Sequence, residues 1–428
     1  MPLGAVRPAI YNGQILTANG SQEWLLERYA VTYASKYAPL LTARLHHLLT
    51  AAVPEQKALT LSNSASGTRI AAKLYWSATA AKYLLVGRGS SSAAPAPEHA
   101  VGATIAALTE AAYPGTSNGA VDSAQFSDGS VVALHGGTTT NAATRFPGST
   151  FTPASLSFGS TNRFFVAATG AIGVACGNNA SNTANDINVS SDSGATWAAS
   201  VTGSNGAITT MRALRWSPCA NAFLWVGTNG SNVAVLTSTS GAPQTQTTRY
   251  NTTGFLLSDC SAAWLVASSP TVTLIAGQNR ALLRSTDGIS WSVVYPEVQA
   301  NWSLDAPDGL SNLAVAHDGT YFYCWPDQDN AYVIGTLSAP QPRHYARILR
   351  STDGLAWEPC ICPEPETTAR TIAGLLFANG LRLAAISTAT NEINSLRDFN
   401  AVLTNAPQFV RAPGMEFTTE VSGQVRIK

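Results

Sequence analysis

The sequence predicts an all-β fold, a propeller of about seven four-stranded blades closed into a ring, with a short α-helical segment before it. Three observations predict it. The motif Ser190-Ser191-Asp192-Ser193-Gly194-Ala195-Thr196-Trp197 recurs, one residue shorter, as Ser285-Thr286-Asp287-Gly288-Ile289-Ser290-Trp291 and as Ser351-Thr352-Asp353-Gly354-Leu355-Ala356-Trp357. Asp192 and Asp287 lie 95 positions apart, twice a period of about 47 residues, the length of one four-stranded blade. Short apolar runs separated by turn residues precede the motifs: 164–168, 172–176 and 187–189 before the first, with 223–226, 264–267, 273–276, 321–323 and 375–377 repeating the design.

Composition agrees with a repeat architecture. A chain of 428 residues exceeds the usual size of a single core, so a core distributed over repeats is expected. With hydrophobic residues at 45% and charged residues at 12%, the chain is a folded, weakly charged protein and not a disordered one. Lys and Arg together number 25, as do Asp and Glu, and no basic run interleaves with aromatics. The electrostatic footprint of a nucleic-acid binder is therefore missing, and no nucleic-acid partner is expected. Near-zero net charge suits a subunit held in an oligomeric assembly.

The cysteines at 176, 219, 260, 324, 360 and 362 sit in or beside apolar runs and read as single buried thiols. Cys360 and Cys362 form a C-x-C pair without a second pair or neighbouring histidines, so no metal site and no cofactor is expected. The stretch Met1-Pro2-Leu3-Gly4-Ala5-Val6-Arg7 lacks the basic and apolar regions of a secretory signal, and no apolar run reaches the roughly 18 residues of a membrane span. Synthesis in the cytoplasm without a membrane span is the expectation.

Residues 1–55 are assigned to a helical arm and 56–428 to the propeller. From Ser21 to Ala52, Trp24, Leu25, Tyr29, Tyr33, Tyr37, Leu41, Leu45, Leu48 and Leu49 recur at helical spacing. Ser21 is placed as an N-cap, with a break at Pro39, which lacks an amide hydrogen. The stripe of Trp24, Tyr29, Tyr33 and Tyr37 is too apolar to face water. Packing against the propeller and docking onto another chain both remain open for it.

Weaker copies of the motif fill the period. Thr237-Ser238-Thr239-Ser240-Gly241 keeps the hydroxyl and the glycine, 144–151 keeps these and the terminal aromatic, and Thr404 to Phe409 has Asn405 and Phe409 in register. A nearly erased first copy is expected near Ser90-Ser91-Ser92. The 66 positions from Asp287 to Asp353 exceed one period, so an insertion is placed around Trp325 to Arg343. Alternation in Val421 to Ile427 nominates that stretch as the strand that closes the ring.

In each clear copy the aspartate is expected to accept backbone amides of a tight turn, the glycine to adopt a conformation other residues resist, and the tryptophan to wedge between blades. On Ser190, Asp192, Gly194 and Trp197, on Ser285, Asp287, Gly288 and Trp291, and on Ser351, Asp353, Gly354 and Trp357, the sequence resembles the Asp-box, or bacterial-neuraminidase-repeat, family of β-propellers. The resemblance implies that these residues are structural and lie at the blade periphery, away from the axis. It also raises sialidase activity, which in that family needs an arginine triad, a tyrosine with its glutamate, and an aspartic acid. Here Arg69-Ile70-Ala71 stands where the family has Arg-Ile-Pro. Arginines 212, 215, 280, 343, 347 and 382 are scattered, and Arg284 and Arg350 directly precede motifs. Among Asp259, Asp305, Asp308, Asp318, Asp327 and Asp329, no two pair by spacing as a glycosidase requires. His317-Asp318-Gly319 reads as a hairpin turn. No catalytic residue is nominated.

The chain is therefore expected to be a non-enzymatic structural component of a particle. Its Ala/Ser/Thr/Gly-rich, charge-poor body and separate arm resemble virion-associated proteins of tailed bacteriophages, on tails or fibres, made in the host cytoplasm. The arm would contact other virion proteins. The insertion carrying Trp325, Asp327, Asp329, Tyr332 and His344 is the candidate binding loop, suited by its aromatics and carboxylates to a host-surface glycan; a solvated loop is the plainer alternative. A carbohydrate-active protein, sialidase-like or lectin, is the second function class.

Overall fold

In a computed structural model, the described residues are 15–18, 22–25, 57–60, 73–87, 99–115, 119–135, 142–156, 163–178, 185–198, 201–203, 208–296, 312–326, 347–361, 371–387, 395–398, 417–421 and 424–427. They form seven four-stranded antiparallel sheets and two hairpins. The first hairpin pairs β1 (Ile15–Ala18) with β2 (Gln22–Leu25), and β3 (Lys57–Thr60) follows. Blade 1 holds β4 to β7 (Lys73–Ser77, Lys82–Val86, His99–Gly102, Thr109–Ala111) and blade 2 holds β8 to β11 (Ala120–Gln125, Val131–His135, Ala143–Phe146, Thr152–Ala154). Blade 3 is β12 to β15 (Arg163–Thr169, Ile172–Asn178, Asn185–Ser190, Val201–Gly203) and blade 4 is β16 to β19 (Thr210–Ser217, Ala222–Asn229, Asn232–Thr239, Ala242–Thr252). A helical turn, α1 (Ala262–Leu265), leads into blade 5, β20 to β23 (Val266–Ser268, Thr273–Ala276, Leu282–Ser285, Ser292–Val294). Blade 6 is β24 to β27 (Leu313–His317, Phe322–Pro326, Arg347–Ser351, Glu358–Ile361).

These six blades are each contiguous in sequence, and the remaining one is composite. It takes β28 (Thr371–Ala378), β29 (Leu381–Ser387) and β30 (Ser395–Asp398) from the C-terminal side and β3 from the N-terminal side, with Lys57 opposite Arg397 and Thr60 opposite Ser395. The expected propeller is present, and its first strands touch their neighbours around the ring, β28 meeting β4. The closing strand is β3 and not Val421–Ile427. That stretch falls in β31 (Phe417–Val421) and β32 (Gln424–Ile427), which pair with each other, so its alternating pattern is met by a partner a short turn away.

Blades pack face to face, so their inner strands bury both faces and read as continuous apolar runs. β9 is buried along its whole length, and Phe223, Leu224, Trp225 and Val226 of β17 are each at 0% exposure. Trp225 still meets its polar demand, its indole N–H donating to Ser238 Oγ at 2.8 Å. The cores lie in the seams: Phe126, Val132 and Phe164 between blades 2 and 3, Cys176, Met211 and Trp225 between blades 3 and 4. The outermost strands β7, β11 and β23 are three residues long and mostly exposed, and β19 is longer and also mostly exposed. Tight hairpins join first and second strands. Asn379 and Gly380, both at positive φ, make the one between β28 and β29, as an Asn-Gly pair between apolar runs should.

The N-terminal expectation needs one correction. Trp24 and Leu25 lie on β2, opposite Leu16 and Ile15, and not on a helix beginning at Ser21. The sequence between the two strands contains Asn19-Gly20, a strong hairpin signal. Tyr29, Tyr33, Tyr37 and the rest of the stripe lie outside the described residues. So do Ser90-Ser91-Ser92, which the strand order places between β5 and β6. The third-to-fourth turn of blade 1 is instead 103–108, a 3-10 turn at Ile105–Ala107 capped by Thr104.

Candidate functional site

Antiparallel order assigns the connections to two faces. First-to-second hairpins and third-to-fourth turns open on one face, and second-to-third connections together with blade-to-blade links open on the other. All three Ser-Asp-Gly motifs are third-to-fourth turns. Ser190 Oγ donates to Asp192 Oδ1 at 2.8 Å and accepts Gly194 N at 2.9 Å. Ser285 and Ser351 repeat this with Asp287 and Asp353, each at 3.0 Å. Asp287 Oδ1 then accepts the amides of Ile289 and Ser290, and Asp353 Oδ1 those of Leu355 and Ala356. The Thr196 hydroxyl and amide bring Asp192 down to about 2, and the amides of Ser290 and Ile289 do the same for Asp287.

The turns also join blades. Gly354, at φ +74°, faces Leu274 of blade 5 so closely that a Cβ there would meet Leu274 Cδ2 at 2.8 Å. Gly194 faces Phe126 and Val132 of blade 2, and Gly288 faces Ala220 of blade 4. Arg145 Nε reaches across the seam to Ser193 O at 2.8 Å, and Arg284 Nε to Asp353 O at 2.9 Å. Trp197 and Trp291 pack on apolar clusters from half-buried positions, and Trp357 is fully buried.

The chemistry-bearing cluster is elsewhere, on the axis. Asp122 of β8 has a side chain at 0% exposure between Lys73 of β4, at 18%, and Arg215 of β16, at 13%. Lys73 Nζ donates to Asp122 Oδ1 at 2.8 Å and to Ser123 O at 2.6 Å. Asp122 Oδ2 accepts from Arg215 Nη1 at 2.8 Å and from the Val166 amide of β12 at 3.1 Å. Arg215 further donates to Leu214 O and to Ala262 O at the start of α1. One carboxylate thus links blades 1 to 4 directly, and blade 5 through Arg215. The Lys73 and Val166 bonds also satisfy backbone groups on first strands, which carry no ladder partner on their axial side.

Burial pushes the Asp122 carboxyl up, but the Arg215 and Lys73 charges more than offset it and hold it below its ordinary value. Burial, reinforced by the Arg215 charge, brings Lys73 down to about 8 in spite of Asp122. Burial also raises Tyr75, whose hydroxyl pairs with Ser123 Oγ at 2.9 Å. Beside this cluster, Arg212 pairs with Asp259 at 3.2 Å.

Of the sequence-nominated loop residues only Trp325 is among the described residues, and it is not part of this cluster. Trp325 is a core residue of β25 at 1% exposure, its ring 6.3 Å from that of Trp264, so it belongs to no binding loop. It sits in a strand buried on both faces, where an aromatic fills the seam. Asp327, Asp329, Tyr332 and His344 fall in the 327–346 connection, outside the described residues. His317-Asp318-Gly319 is the anticipated hairpin, and Asp318 also holds Tyr323 and, across the seam, Arg382. Cys176, Cys260 and Cys324 are buried cysteines outside any disulfide and Cys219 is half-buried; Cys362 lies outside the described residues. Among the described residues, no group of three or more His, Cys, Asp or Glu side chains could hold a metal ion, and no helix is long and apolar enough to cross a membrane.

Spacing missed Lys73, Asp122 and Tyr75, although Arg215 was among the noted arginines. The available signal was Asp122 itself, a lone acid in the run Ala120-Val121-Asp122-Ser123-Ala124, where a charge is almost never buried unpaired.

No protein-family model and no curated protein sequence matches this chain. Among solved structures it is similar to YCF48 from Cyanidioschyzon merolae, at 12% identity and a TM-score of 0.44, over 79% of this chain and 98% of that one. It is also similar to a catalytically inactive virginiamycin B lyase from Staphylococcus aureus with quinupristin, at 12% identity and a TM-score of 0.45, over 79% and 97%. Hydrazine synthase from Kuenenia stuttgartiensis aligns at 9% identity and a TM-score of 0.39, over 62% and 73%. These likenesses assign no activity.

Proposed function

We propose that this chain is a degenerate Asp-box propeller acting as a non-enzymatic contact module of a bacteriophage virion, tail or fibre associated. The observation that carries the reading is the engagement of Asp122. Both of its oxygens are engaged by two cations and a backbone amide, an arrangement that holds blades together and, with the side chain at 0% exposure, keeps the carboxylate out of reach of a substrate. The three motif turns take the same kind of role on the blade seams.

The proposed contact surface is the face opposite the motif turns, where β25 ends and β26 begins. A host-surface glycan is its proposed ligand, and residues 1–55 are the proposed attachment to other virion proteins. The resemblance to degenerate propellers of tailed phages supports the setting. Purified particles of the source, probed by antibody and by peptide mass spectrometry, should contain the chain, and a variant lacking residues 1–55 should be lost from them. Recovery of the chain only in the particle-free fraction would overturn the virion reading. Release of sugar from a fluorogenic sialoside above a heat-killed control would overturn the non-enzymatic one.

A further inference from the structure

The axial network does not balance its charge. Two cations, Lys73 and Arg215, share the single carboxylate of Asp122. Their other partners, Ser123 O, Leu214 O and Ala262 O, are neutral. Tyr75 and Ser123 beside them are neutral hydroxyls, and the neighbouring Arg212 is matched by Asp259. Among the described residues the axis therefore carries one surplus positive charge. A desolvated unmatched charge is costly and is normally compensated by a counter-ion or by loss of its proton.

We propose that the axial network binds one small monovalent anion of the halide class, held by donors that Lys73 and Arg215 still have free. An ammonium has three donors and a guanidinium five. Lys73 Nζ uses one on Asp122 and one on Ser123 O; Arg215 uses two on Nη1 and one on Nη2. Both side chains retain a little exposure, 18% and 13%, which gives an ion access while Asp122 stays sealed. A single negative charge brings the cluster to neutrality, whereas a divalent phosphate or sulfate would overshoot it and is larger than a halide. The anion also completes the ring lock, because it relieves the repulsion between two cations contributed by different blades. Burial, with the Arg215 charge second, depresses the proton affinity of Lys73, as a cation short of counter-charge should show.

The test is thermal melting in sodium gluconate at constant ionic strength, with gluconate replaced stepwise by chloride or bromide. The expected result is a saturable rise in Tm of a few degrees with either halide. Lys73→Gln, which removes the surplus charge and keeps a donor toward Asp122, should lose that dependence. Superimposable melts in gluconate and halide, or a halide effect that persists in Lys73→Gln, would overturn the proposal. If Lys73→Gln fails to fold, bromide-soaked crystals of the unaltered protein decide: an anomalous peak within hydrogen-bond reach of Lys73 Nζ supports the site, and its absence refutes it.

Discussion

Replacing Asp122 with asparagine tests the axial network most directly. The substitution keeps the size of the side chain and one acceptor for the Val166 amide, but removes the only charge opposing Lys73 and Arg215. Breaking a buried ion pair by deleting one partner costs about 3–5 kcal/mol, since the remaining charge is left uncompensated. Here two cations are left, so the upper part of that range is expected. At roughly 2.1 cal/mol/K of unfolding entropy per residue, a chain of this length should melt about 4–6 °C lower. Scanning calorimetry reads the shift. The double variant Asp122→Asn with Lys73→Met should recover part of the loss, because it removes one orphaned cation as well, so the two single effects should not add. An Asp122→Asn protein melting with the parent, or a strictly additive double variant, would refute the view that the carboxylate locks the blades together.

Other consequences are equally open to measurement. Gly354→Ala places a Cβ at positive φ, 2.8 Å from Leu274, and should destabilise by roughly 1–3 kcal/mol in chemical denaturation; an unchanged midpoint would show that the seam between blades 5 and 6 is loose. In halide-free buffer, stability should climb with pH from about 8 towards 10, because folded Lys73, at about 8 against an ordinary 10.5, has released a proton that the unfolded chain still binds. Above the ordinary tyrosine value of 10.0 the raised Tyr75 reverses the sign, since the unfolded chain then loses a proton that folded Tyr75 keeps. Melts of parent and Lys73→Gln across this range should diverge accordingly, and parallel profiles would contradict the assignment. Deleting residues 1–60 removes β3 and bares the edge of β30, so aggregation and loss of cooperative melting are expected. Deleting 417–428, whose strands pair with each other, should leave size-exclusion and melting profiles unchanged, and the reverse pattern would place ring closure elsewhere.

What the sequence by itself determined is local. Ser190, Asp192 and Gly194, with their counterparts around Asp287 and Asp353, build their turns from bonds between residues two to four apart, so a pattern of residue types is enough to read them. The strands of blade 3 fall on the apolar runs 164–168, 172–176 and 187–189 for the same reason, each being bounded by its own turn signals. Only the tertiary structure decided which distant residues meet. Lys73, Asp122 and Arg215 are separated by 49 and 93 positions, and nothing in their neighbours' chemistry marks them as partners until first strands from separate blades are brought around one axis. Ring closure belongs with them. Lys57–Thr60 and Val421–Ile427 are both short stretches able to form strands, and pairing across a closed ring, not their own patterns, selects the first. An aromatic beside a long connection suits binding, but the seam between blades claims Trp325, since burying a large ring on a two-sided strand gains more than exposing it at the strand's end.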